Sequence, residues 1–273
     1  MPRRYSFRHT LTLLLAALMA TTAAADDATS TNSPTLALVI DDLGYSLEHG
    51  RRAIALPGPV TVAILPFAPN TTTLAELAAS RGADVILHEP MQAADIPPND
   101  PGTLTVAMSD GDLRDQFERA LADVPQAIGV NNHTGSLLTA QWGAMNALMN
   151  ELRGHGLFFL DSRTTAETVA LHVAAENGVP AVPRDVFLDH VVEARDIEAE
   201  FERAISIARR HGHVVVIAHP NDISLEFLER ALPTLATRGV TQIRIADLVE
   251  NVRPAATPVL SADRASPHTG PAL

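Results

Sequence analysis

The chain has 273 residues, no cysteine and a formal net charge of -12, and aromatic residues make up only 4% of it. Without thiols there are no disulfides and no thiolate metal sites, so any metal must be held by His, Asp, Glu or water. Net acidity, with no Lys/Arg cluster after the first residues, argues against nucleic acid and anionic membrane surfaces as partners, and the few aromatics offer no broad stacking platform for sugars.

Arg3, Arg4 and Arg8 precede an apolar stretch from Leu11 to Ala20, and Ala23-Ala24-Ala25 supplies the small residues of a cleavage site. The pattern predicts a signal peptide over 1–25 and an exported, periplasmic protein with no stable membrane insertion after cleavage. The apolar stretch falls short of the ~20 residues that span a bilayer, although an uncleaved anchor is the alternative. Residues 26–34 are polar and Thr/Ser-rich and read as a linker. Residues 253–273, rich in Pro, Ala and Ser without periodicity, read as a disordered tail. A single domain is expected over 35–252.

Within it, strand-length apolar runs occur at Leu36–Ile40, Val60–Leu65, Asp84–Leu87, Ala127–Val130, Leu157–Leu160, Val179–Val182, Val214–Ala218 and Gln242–Ile245. Several are apolar at consecutive positions, as in parallel strands covered on both faces. Helical periodicity falls between most of them, at Thr72–Arg81, Asp112–Ala122, Gly143–Arg153, Asp196–His211 and Leu225–Ala236, with Pro233 breaking or kinking the last. Strand alternating with helix predicts a parallel sheet, and seven or eight such units suggest a barrel, with an open doubly wound sheet as the alternative. No Gly-rich phosphate loop comes after a strand, which argues against a nucleotide site.

The strand ends carry the chemistry. The first strand ends in Asp41-Asp42 and the third in His88; the fourth runs into Asn131-Asn132-His133 and the fifth into Asp161. The sixth leads to Arg184, Asp185 and Asp189, and the seventh ends in His219. In a parallel barrel these ends share one rim, where catalytic residues gather. Singly, each has a plain structural reading: the aspartates as turn formers or helix caps, His88 and His219 as hydrogen-bonded loop or core residues, the asparagines as turn residues. Together they supply one carboxylate and two imidazoles for a metal, a second carboxylate to take a proton from water, and a histidine to protonate a leaving amine.

The segments VIDDLG (Val39 to Gly44), HEPM (His88 to Met91), GVNNHTGS (Gly129 to Ser136), FFLDSRT (Phe158 to Thr164), RDVFLD (Arg184 to Asp189) and IAHP (Ile217 to Pro220) occur in this order. The set resembles the divergent polysaccharide deacetylase family of exported bacterial proteins, over roughly Leu36 to Val252. The resemblance implies a distorted (β/α)7-type barrel and a divalent metal, zinc foremost, with Asp42 as a ligand, Asp41 as the base and His219 as the acid. The wider family takes both metal histidines from one His-x-x-x-His motif; here Gln92 stands at that spacing from His88, so His133 is taken as the second imidazole. Asn131, Asn132, Asp161, Arg184 and Asp189 are expected to orient a histidine or the base, or to meet substrate. The expected activity is hydrolytic N-deacetylation of a cell-envelope glycan. A non-catalytic periplasmic protein that binds a glycan or a partner on the same barrel is the alternative.

Overall fold

The computed structural model describes residues 33–252, so the predicted signal peptide, the predicted tail and the linker up to residue 32 lie outside the described residues. The order of elements is β1 (Thr35–Leu43), α1 (Leu47–Ile54), β2 (Thr61–Ile64), α2 (Thr71–Ser80), β3 (Asp84–Met91), α3 (Asp110–Asp123), β4 (Gly129–Thr134), α4 (Trp142–His155), β5 (Phe158–Asp161), α5 (Ala170–Asn177), β6 (Ala181–Pro183), β7 (Val186–Phe187), α6 (Ala194–His211), β8 (His213–Ala218), α7 (Asp222–Ala231), β9 (Thr241–Ile243) and α8 (Ile245–Val252). Among the described residues, no helix is long and apolar enough to cross a membrane.

The strands pair in parallel in the order β6-β5-β4-β3-β2-β1-β8-β7, with β9 against the start of β1. β6 and β7 stand at opposite ends of this order, yet only Arg184 and Asp185 separate them in the chain. The sheet must therefore curl until its two edges face each other. The two linking residues span the seam, because Arg184 N–H donates to Asp161 O (2.9 Å) and Asp185 N–H to Val215 O (2.9 Å). Seam and curl together make the expected distorted barrel: a curled, open parallel sheet surrounded by helices.

The period of two along each strand sorts the core into two layers. Leu36, Leu38 and Ile40 of β1, with Val85 and Leu87 of β3, pack outward beneath the helices. Ala37 and Val39, with Ala63, Ile86, Leu160, Val182, Val215 and Ile217, pack inward. The bottom of that inner core is closed by Phe158 and by Ile245, Leu248 and Val249 of α8.

Several elements differ from expectation. β1, β3 and β4 run on through Leu43, Met91 and Thr134, so the polar residues placed after those strands lie within them. Helices α1 and α5 and the two-residue β7 join the expected set, and Ile245, assigned to the last strand, instead begins α8. The break near Pro233 is real: α7 stops at Ala231 and short 3-10 turns come next. If α8 plugs the barrel, Ile245→Ala, at a fully buried position, lowers the unfolding free energy by about 2–5 kcal/mol in urea denaturation. A loss below about 0.5 kcal/mol, the range of surface changes, contradicts that role.

Candidate metal centre

The inward-facing row of each strand changes character at its C-terminal end. Two residues beyond Val39 comes Asp41; beyond Ile86, His88; beyond Gly129, Asn131. The same step leads from Leu160 to Ser162, from Val182 to Arg184 and from Ile217 to His219. Period two thus turns an apolar interior into a polar rim lining a cleft of about 430 Å³.

Asp42 reaches the same cleft through a bulge. Between Ile40↔Val62 and Leu43↔Ile64 the β1–β2 register slips by one residue, and Asp42 takes φ 58°. Without that extra residue Asp42 would join Leu38 and Ile40 on the side of the helices. Thr134 (φ 55°) and Arg163 (φ 50°) are also left-handed and also line the cleft. Left-handed backbone outside glycine costs of order 1 kcal/mol or more, so the fold stores strain at this rim.

Three donor atoms converge. Asp42 Oδ1 lies 3.0 Å from His88 Nε2 and 2.9 Å from His133 Nδ1, and the two nitrogens are 3.1 Å apart. Their neighbours fix the proton positions. Asn131 Nδ2 donates to Asp41 Oδ1 (2.9 Å) and Ser162 Oγ (3.2 Å), so its oxygen faces His88 Nδ1 at 2.8 Å. His88 Nδ1 therefore carries the proton, and Nε2 presents a lone pair. Nε2 of His133 faces Asp100 Oδ2 at 3.4 Å, which favours a proton there and leaves Nδ1 bare. Three lone-pair atoms at such distances repel unless a cation lies among them. One carboxylate with two neutral imidazoles fits a divalent metal of the zinc type, so the site is capable of coordinating one.

On the other side of Asp42, His219 Nδ1 bonds Asp189 Oδ1 at 2.9 Å, leaving Nε2 3.8 Å from Asp42 Oδ2. The second oxygen of Asp189 is saturated by His219 N–H (2.7 Å), Asn221 Nδ2 (3.1 Å) and Ser224 Oγ (2.7 Å).

Burial and charge set the protonation states. Burial lifts the Asp41 carboxyl above its ordinary value, against the opposing charges of His88 and His219. Burial acts the same way on Asp42, but in the metal-free site, where ring protons stand in for the cation, hydrogen bonds from His133 and His88 outweigh it and hold this carboxyl far below the usual carboxylate range. For His219, burial would disfavour the imidazolium; the bond to Asp189 and the charges of Asp41, Asp189 and Asp42 overcome that and push its pKa up to about 9. Asp189 is lowered correspondingly: burial would raise it, and His219 wins.

The structure thus brings Asp41, Asp42, His88, His133 and His219 to one cleft, with Asn131 bridging His88 to Asp41 and Asp189 holding His219. Asp161 requires a correction. Its partners are Arg163 N–H (2.8 Å) and Thr168 Oγ (3.0 Å), and it orients neither a histidine nor the base. Phe159 packs in the outer layer, so Asp161, two residues on, has the outward parity. Asn132 accepts from Ser162 N–H (2.9 Å) and donates to Thr134 O (2.7 Å), shaping the rim turn. Arg184 bonds the carbonyls of Ser162 and Arg163 and does not touch Asp41 directly. Sequence reasoning missed Ser162, which the two-residue step from Leu160 marks, and Asp100, which sits in a loop without periodicity.

The family model for divergent polysaccharide deacetylases matches residues 38–249. A protein of Haemophilus influenzae is 40% identical over 200 residues, covering 73% of this chain and 71% of its own length. Protein YibQ of Escherichia coli is 35% identical over 214 residues, covering 78% and 67%. Among solved structures, protein ATU2773 of Agrobacterium tumefaciens has the same fold, with a TM-score of 0.77 at 24% identity over 81% of this chain and 91% of that one.

A ring-proton NMR titration of the metal-free protein should place His219 near 9, and Asp189→Asn, which removes the hydrogen-bonded negative charge, should lower it clearly. Because His219 is raised above the ordinary 6.5 and Asp189 is lowered from the ordinary 3.8, the pair's contribution to stability is fully present between those two values, is lost as pH rises through about 9, and is lost again in acid as Asp189 takes up a proton. An unchanged titration in Asp189→Asn contradicts the assignment.

Proposed function

The chain belongs to the divergent polysaccharide deacetylase family, within the polysaccharide deacetylase superfamily, and on that premise we propose that it hydrolyses an N-acetyl amide of a cell-envelope glycan. The carrying observation is the triangle of bare donor atoms from Asp42, His88 and His133, flanked by Asp41 and His219. Those three residues would hold a divalent metal, zinc foremost. Bound there, the metal would polarise the acyl oxygen and acidify a water.

The chain's own residues supply the proton transfers. Asp41 is the base: burial raises its proton affinity above that of a free aspartate, and Asn131 fixes one of its oxygens 2.9 Å away. His219 is the acid: with Nδ1 bonded to ionised Asp189, its protonated Nε2 points toward the cleft and can hand a proton to the departing amine. Asn131 couples the two halves, since its amide donates to the base while its oxygen sets the tautomer of a metal ligand. The N-terminal pattern supports export to the periplasm, where such a glycan would be met.

One observation favours a second reading, a glycan- or partner-binding protein on the same barrel. Asp41 is only 3% exposed and already engaged by Asn131, so it could be a structural carboxylate.

Asp41→Asn separates the two readings. Acetate release from N-acetylated peptidoglycan or chitin oligosaccharides by zinc-loaded protein should fall about 10²–10⁴-fold, the usual contribution of a general base. Zinc binding by calorimetry should persist. Undiminished turnover removes Asp41 as the base, and glycan binding without turnover in the unsubstituted protein supports the second reading.

A further inference from the structure

The cleft continues past Ser162 to Arg163, Arg184 and Phe187. Arg184 is partly buried. Its Nε and Nη2 are occupied by the carbonyls of Ser162 (2.7 Å) and Arg163 (3.0 Å), and its guanidinium lies 5.0 Å from the Phe187 ring centroid. Arg163 is exposed, but its backbone is pinned: N–H to Asp161, C=O to Arg184, φ 50°. The pinning fixes the point on the cleft wall from which the Arg163 side chain extends.

Neither guanidinium makes an ion pair with a carboxylate among the described residues. Arg52, Arg203, Arg238 and Arg244 each do, and unpaired arginines such as Arg51, Arg81 and Arg210 are exposed on the outer helices and their ends, away from the cleft. What sets Arg163 and Arg184 apart is their place: both line the cleft that holds the metal triangle. Nearby negative charges are already engaged. Asp42 belongs to the metal triangle, Asp41 to Asn131, Asp189 to His219, and Asp161 holds the Arg163 turn from the outward face. With a divalent cation in the triangle, the cleft presents excess positive charge beside the reacting position, and a planar guanidinium is suited to carboxylate and phosphate oxygens.

We propose that Arg163, backed by Arg184, forms a subsite for an anionic group, a carboxylate or a phosphate ester, carried by the substrate near its acyl group. The substrate is then an acidic N-acetylated glycan, not a neutral one. The identification of the acyl group rests on the deacetylase reading; the anion subsite rests on the arginines alone.

The test is calorimetric, on zinc-saturated protein carrying Asp41→Asn to block turnover. One pair of probes is chitotetraose and a peptidoglycan tetrasaccharide whose alternate sugars bear a lactyl carboxylate. The other is N-acetylglucosamine and its 6-phosphate. At least one anionic probe should bind about tenfold more tightly than its neutral counterpart at low salt, the equivalent of one charge-assisted hydrogen bond. Adding Arg163→Ala, at an exposed side chain, should abolish the preference, and Arg163→Glu should invert it. Which pair shows the preference assigns carboxylate or phosphate. Equal affinities, a preference that survives Arg163→Ala, or no binding of any probe overturns the subsite. Acetate release by the unsubstituted protein is scored separately. Turnover of chitotetraose at the same efficiency as the acidic probe, insensitive to Arg163→Ala, keeps the deacetylase reading and sinks the subsite; an Arg163-dependent anion preference without acetate release does the reverse.

Discussion

Everything in this molecule depends on the two-residue alternation of side chains along strands covered on both faces. The same inward row that packs Val39, Ile86, Leu160, Val182 and Ile217 into the barrel delivers Asp41, His88, Ser162, Arg184 and His219 to its rim. A slip of one residue in any of these strands would turn its rim residue into the helix layer and its outward Leu or Ile into the cleft. Core packing and site geometry are therefore selected together by one register. The exception, the bulge at Asp42, puts two consecutive carboxylates on one side of a strand, which regular alternation forbids.

That adjacency creates an electrostatic problem, which the rim solves by division of labour. Two carboxylates so close would share a proton if left alone. Asp42 takes the imidazoles and stays ionised, while Asp41, 3% exposed, takes the Asn131 amide and keeps a raised proton affinity. Asn131 can serve both because its amide has a donor end for Asp41 and an acceptor end for His88, which neither aspartate nor leucine at that position offers. His219 is kept charged first by an aspartate whose own lone pairs are nearly all taken, with the charges of Asp41 and Asp42 adding to it, so its state is tied to the metal triangle as well.

The same alternation decides how much of this could be read from the sequence. The strand cores and helices α2, α3, α4 and α6 were legible because their apolar runs and stripes are long. β7 has two residues, too few for any period, and α8 begins at Ile245, which also suits the end of an apolar strand. Asp41, Asp42, His88, His133 and His219 were legible as a set because a parallel barrel gathers strand ends. Which face a strand-end residue takes was not, since both faces of β5 are apolar: Phe158-Phe159-Leu160 carries no mark of inside or outside. Asp161 was assigned to the site for that reason, and Ser162 was passed over. Asp100 approaches His133 from a long loop whose path depends on contacts such as the β3 pairing Met91↔Leu104, and nothing local in the sequence foretells them.

The central claim is that Asp42, His88 and His133 form a metal site. Anomalous diffraction from crystals of the protein grown with zinc, recorded on both sides of the zinc absorption edge, tests it directly. The account predicts one strong peak at about 2.0–2.2 Å from Asp42 Oδ1, His88 Nε2 and His133 Nδ1 together. No peak there at full zinc occupancy elsewhere, or a peak ligated by His219 in place of His133, contradicts it.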